Sequence, residues 1–117
     1  MFAERKVVTV TTAAGGEATA YSENVTGRIH SIAYVKTDFA DGVDFTITLE
    51  STGESLWTDT NINASEIVYP VLKASLGGTG AASTILEQGV VAANDRVKII
   101  IANGGATKVG TFNVVVV

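Results

Sequence analysis

The chain has no cysteine, so disulfides, thiolate zinc sites, iron–sulfur ligation and cysteine nucleophiles are all excluded. Its 117 residues include one histidine, His30. A histidine-based triad would need partners gathered around that single ring, and no Gly-x-Ser-x-Gly nucleophile elbow is present to supply one. Proline occurs once, at Pro70, and charged residues make up 17%. Eight Lys and Arg stand against twelve Asp and Glu, a net charge of −4, which is the wrong sign for a protein whose main work is neutralising phosphates. No nucleic-acid partner is expected. Apolar runs are short, as at Ile99 to Ala102 and Val114 to Val117, far short of the roughly 18 to 20 residues that a spanning helix needs. Glu4, Arg5 and Lys6 occupy the place where a signal peptide carries its apolar core. The expectation is therefore no export by that route, no membrane partner and synthesis in the cytoplasm.

What is abundant is β-branched side chain. Val, Ile and Thr supply 40 residues, about a third of the chain, and these types favour pleated, half-buried surfaces. Val43, Phe45, Ile47 and Leu49 alternate with Asp44, Thr46, Thr48 and Glu50, the pattern of a strand with one core face and one wet face. Arg28 to Lys36 is apolar on both faces, with Ile32 and Tyr34 on one side and Ile29, Ala33 and Val35 on the other. Arg96 to Asn103 and Thr111 to Val117 read in the same way, and Asn103-Gly104-Gly105 between them suits a tight hairpin turn. Further strands are expected over Arg5 to Thr12, Ala18 to Ser22, Glu54 to Thr58 and Glu87 to Ala93. Turns are expected at Ala13–Gly16, Ser51–Glu54 and Asn94–Asp95. Glu66 to Ser75 reads as a strand interrupted by Pro70, which belongs at an edge or bend, and 76–83 reads as a flexible, glycine-rich loop. Such short, even spacing predicts a single all-β domain spanning 1–117, an antiparallel sandwich or barrel of jelly-roll or tulip type.

Several residue groups invite a chemical reading. Asp38, Asp41 and Asp44 are spaced by three, but they lack the alternating ligands and closing glutamate of an EF-hand, so Asp41-Gly42 reads better as a turn. Gly77-Gly-Thr-Gly80 is not followed by the Lys-Ser/Thr of a phosphate loop. Asn24-Val-Thr26 and Asn63-Ala-Ser65 match the glycosylation pattern by chance in a chain without an export signal. Trp57, Tyr21, Tyr34 and Tyr69 would form a sugar-stacking platform if the fold gathered them, which keeps a carbohydrate-binding module as an alternative. No catalytic residue, metal site or cofactor is assigned.

The amount of apolar side chain is high for a small sheet protein, because a monomeric antiparallel sheet normally leaves one face wet. A terminal run of four valines would invite edge pairing and should be covered, most simply by another subunit. Val114, Val115, Val116, Val117, His30 and Tyr34 are accordingly the candidate subunit-interface residues.

Three stretches, Thr26 to Val35, Val43 to Trp57, and Asp95 to Gly105 with Gly110-Thr-Phe112, together about half the chain, resemble small proteins encoded among the head genes of tailed bacteriophages. The resemblance implies a virion structural protein without enzymatic activity, most specifically a capsid decoration or cement protein that binds across capsomers on the capsid surface. It further implies a homo-oligomer, in that class often a trimer, with the major capsid protein as partner. A tail or head-completion protein is the alternative within the same class. For docking, residues 1–6 are the expected arm, with Phe2, Arg5 and Lys6 as candidates, because a terminal segment can add a strand to a sheet edge of the shell.

Overall fold

The computed structural model describes residues 3–75 and 82–117, with side chains described at 3–71 and 89–117. Among the described residues eleven strands run β1 (Glu4–Thr11), β2 (Ala18–Tyr21), β3 (Val25–Lys36), β4 (Val43–Leu49), β5 (Ser55–Ile62), β6 (Glu66–Val68), β7 (Val71–Ser75), β8 (Ala82–Gly89), β9 (Val91–Asp95), β10 (Val97–Ala102) and β11 (Val109–Val116). The front sheet has the order β1-β11-β3-β6, with β9 also paired to β3, and the back sheet has the order β2-β10-β4-β5. All pairings are antiparallel, and the two sheets pack as a β-sandwich. The β7–β8 pair forms a separate two-stranded ladder. The expected loop over 76–83 falls partly outside the described residues, at 76–81, while Ala82 and Ser83 open β8.

The core follows from period-two patterning. Val8 and Val10 of β1, Phe112, Val114 and Val116 of β11, and Ile29, Ile32 and Tyr34 of β3 are buried on the front sheet. They face Val97, Ile99 and Ile101 of β10 and Val43, Phe45, Ile47 and Leu49 of β4. Phe45 lies at the centre of an aromatic cluster, with ring centroids 4.8 Å from Tyr34, 5.0 Å from Phe112 and 5.2 Å from Trp57, all edge-to-face, the favoured geometry for such rings.

The expected turn at Asn94–Asp95 lies within β9 instead, and two larger expectations are also corrected. Arg96–Asn103 and Thr111–Val117 form strands, but not a hairpin: β10 lies between β2 and β4 while β11 lies between β1 and β3. Asn103 and Gly105 do adopt positive φ, at 58° and 86°, but the turn they build carries the chain from one sheet to the other. It is held there by Gly104 N–H donating to Gly16 O at 2.9 Å and Thr12 Oγ1–H donating to Gly105 O at 2.6 Å. The second correction concerns β3. Its register with β11 slips between Val115↔Ser31 and Val116↔Ile29, so His30 is an extra residue in a β-bulge. The bulge reverses parity, and Ile29 therefore joins Ile32 and Tyr34 in the core instead of facing away from them.

Candidate docking face

The side chains on the outside of the front sheet follow from the register. Val7, Asn113, Ala33 and Ile67 form one cross-strand row; Thr9, Thr111 and Val35 form the next, followed by Thr11 and Val109. On the other side of the first row lie Arg5 and Val115, with Ser31 buried at the end of that row. Arg5 is the one charged residue in these four rows. Val7, Ile67 and Val35 are 60%, 52% and 43% exposed. Beyond Val115 the strand ends against Arg28, whose N–H donates to Val117 O at 2.9 Å, and exposed His30 stands beside Tyr69 with ring centroids 5.6 Å apart. The face is thus uncharged along three rows, with arginines at one end.

The outside of the back sheet differs. Asp44, Thr46, Thr48 and Glu50 point outward from β4 and its end, with Lys98 beside them on β10. Arg96 donates to Glu50 through Nε at 2.8 Å and through Nη2, and its guanidinium lies 4.1 Å over the Tyr21 ring. The side-chain hydrogen bond from Arg96 holds Glu50 below the usual carboxylate range. One sandwich therefore presents a polar, ion-paired face and, on the opposite side, a neutral β-branched one. Water is the natural neighbour of the first, and contact with another surface suits the second.

Size sets the strength of such a contact. With strands about 4.8 Å apart and alternate residues about 6.8 Å apart along a strand, the twelve positions of these rows span roughly 400 Å². That is about half of the roughly 800 Å² per partner of a standard stable interface. A single copy would bind weakly through this face, and many copies on a lattice would bind well.

The candidate residues separate accordingly. Arg5, Val115 and Val117 flank the outer face, with His30 at its margin. Val114, Val116 and Tyr34 do not reach a surface: their side chains face the back sheet inside the sandwich, and the backbone edges of β11 are taken by its neighbours β1 and β3. Arg5 and Lys6 are not part of a free arm, since both are in β1 and pair with Val115 and Val114. Lys6 points to the opposite side from Arg5, lying 3.5 Å from Glu23 and 3.7 Å from Glu4. Phe2 lies outside the described residues. Ile67, Val35 and Val7 of this face are not among the residues the sequence singles out, although the uncharged β-branched run Val7-Val8-Thr9-Val10-Thr11 is a signal for one of its strands.

The other groups are occupied structurally. Trp57 is 7% exposed and packs on Phe45, Tyr34 is in the core, and Tyr21 lies under Arg96, so the four aromatic rings do not share a platform. Asp38 accepts from Val109 N–H, Asp41 pairs with Lys36, and Asp44 accepts from Asn61 N–H at 3.0 Å and Asn103 Nδ2 at 2.7 Å. These acids clip loops. Asp95 is buried and holds the β4–β5 turn to the start of β10, accepting from Ser51 Oγ at 2.8 Å, Ser51 N–H at 3.1 Å and Arg96 N–H at 2.8 Å. Burial pushes its carboxyl up, but the donors from Ser51 and Arg96 outweigh that and leave it below the usual range. A shallow depression of about 390 Å³ beside β2 is lined by Ala18, Thr19, Ile100, Ile101 and Ala102, with Glu17 as its one ionisable group.

No family model matches the chain, and comparisons with curated proteins and with solved structures give no match.

Proposed function

We propose that the chain is a virion structural protein, specifically a capsid decoration or cement protein of a tailed-phage head, which lies on the capsid surface with the outer face of its front sheet against the major capsid protein. One observation carries this reading: an outer sheet face that is neutral along three cross-strand rows, backed by a sandwich whose opposite face is ion-paired. The sequence resemblance supplies the identity of the partner, and the sheet face supplies a surface suited to it. The complementary patch on the shell is apolar, with acidic groups where Arg5 and Arg28 lie. A cement protein forms and breaks no covalent bonds; it adds contacts across capsomers, and by mass action anything that binds the assembled shell in preference to its dissociated parts stabilises the shell.

The test is to mix the purified protein with undecorated heads and measure co-sedimentation together with the temperature at which the particles break open. Saturable binding and a raised disruption temperature are expected. Absence of binding to heads, with binding to tail tubes, would move the role to a tail or head-completion protein. Binding to neither would remove the phage reading.

A further inference from the structure

Sheet edges differ in how well they are protected against adding another strand. Short edge strands, bulges and charged side chains blunt an edge. On the front sheet β6 has three residues, and β9 has five with a register slip against β3. On the back sheet β2 has four residues, while β5 slips register twice against β4, carries Asp59 and has Asn61 at φ 56°. β1 carries Glu4, Arg5 and Lys6 at its first three positions, but from Val7 onward it has none of these protections. It is eight residues long, its register with β11 is unbroken, and Val7-Val-Thr-Val-Thr-Thr12 is an uncharged β-branched run.

The ladder fixes which backbone groups are free. Thr12 N–H donates to Lys108 O at 2.8 Å, and alternation along an antiparallel pair then turns the N–H and C=O of the even residues of β1 toward β11. Those of Arg5, Val7, Thr9 and Thr11 point the other way, where β1 has no second strand among the described residues. We propose that this edge pairs, antiparallel and about a two-fold axis, with β1 of a second copy of the chain. One register bonds all four free residues of both copies: Val8 opposite Val8 of the other copy, Val7 opposite Thr9, and Arg5 opposite Thr11. In it Glu4, Arg5 and Lys6 face Thr12, Thr11 and Val10, so no like charges oppose one another. The self-complementarity of the run is what selects a second copy over a foreign strand. The pairing also sets Val7 and Thr9 of the two copies side by side and continues the neutral outer face across both. It creates a two-fold dimer, not the threefold that the sequence resemblance implies, and it does not depend on the shell-binding proposal.

Sedimentation velocity between about 1 and 500 µM tests the association, and a cysteine-free chain makes the register readable. Val8→Cys should form a covalent dimer under mild oxidation, because a non-hydrogen-bonded antiparallel pair has the close approach a disulfide needs; Val10→Cys should not. Thr9→Pro removes an edge donor without touching the β11 ladder, and it should weaken dimerisation at least tenfold while the far-ultraviolet circular dichroism is unchanged. If that variant misfolds, the charge pair at Thr11 decides: Thr11→Glu, placed opposite Arg5 of the other copy, should tighten the dimer several-fold, and Thr11→Lys should weaken it. A monomer throughout the concentration range, equal crosslinking of Val8→Cys and Val10→Cys, or a dimer indifferent to both Thr11 charges would overturn the proposal.

Discussion

Tyr34→Phe should make the protein more stable. The Tyr34 side chain is 1% exposed and sits among Phe39, Phe45 and Phe112, and its hydroxyl has no hydrogen-bond partner among the described residues. The substitution keeps the ring, and with it the three aromatic contacts, and removes a single polar atom. An unsatisfied buried hydroxyl costs about 1 to 3 kcal/mol, against which the loss of its van der Waals contacts is small. The expected gain is about 1 to 2 kcal/mol, or an increase in Tm of about 4 to 10 °C for a domain of this size. Urea unfolding at constant m, followed by the fluorescence of Trp57, measures it. The same variant carries a second signature. Burial first, and then the charges of Asp41 and Asp38, push the Tyr34 hydroxyl up to about 12. A group whose folded value is raised contributes stability that is complete below the unfolded value near 10 and is lost as pH rises toward the folded one. Wild type should therefore lose stability between about pH 10 and 12 through this residue, and Tyr34→Phe should lose less. A variant destabilised by more than about 0.5 kcal/mol, with an unchanged alkaline limb, would refute the reasoning and indicate that the hydroxyl has a partner.

Asp95→Ala leaves Ser51 N–H, Ser51 Oγ and Arg96 N–H without their shared acceptor, and should cost about 2 to 3 kcal/mol in the same denaturation assay. Because the Asp95 carboxyl is held low in the fold, its contribution is present above the unfolded carboxylate value and is lost as pH falls through the folded one, so the variant should show a shallower acid limb than wild type. Gly110→Ala places a Cβ 2.4 Å from Phe39 Cε2, where the buried ring has to move. A loss of about 1 to 3 kcal/mol is expected from thermal melts. Gly27→Ala adds both an unfavourable φ of 131° and a contact of 2.6 Å with Val117 O, and should raise hydrogen exchange at the Arg28–Val117 pair.

Element type was easy to read from the sequence, and partnership was not. Alternation at Val43–Leu49 and β-branched density elsewhere were enough for an all-β chain, and the turn residues at Ala13–Gly16, Ser51–Glu54 and Asn103–Gly105 fall where the chain does reverse. A glycine at positive φ supports a hairpin and a sheet-to-sheet crossover equally well. Nothing local to Asn103-Gly-Gly105 reveals that β11 pairs with strands far away in sequence at Glu4–Thr11 and Val25–Lys36. That long-range pairing also changes the meaning of Val114–Val117. A run that reads as an exposed edge in isolation is a central strand once β1 and β3 flank it. The bulge at His30 is silent for a related reason, since one inserted residue alters face assignment without altering composition. The outer face could be assembled only after the register was known, because its rows join residues as distant as Val7, Ala33, Ile67 and Asn113.

The most direct test of the docking face compares charges placed on the two outer surfaces. Val35→Glu and Ile67→Glu each put a carboxylate on an exposed position of the front sheet, and Thr46→Glu does the same on the back sheet. All three should fold with stability close to wild type. Equilibrium co-sedimentation with undecorated heads should give wild-type saturation for Thr46→Glu and at least a tenfold loss of affinity for the two front-sheet variants. Equal binding by all four proteins, or loss confined to Thr46→Glu, would contradict the account.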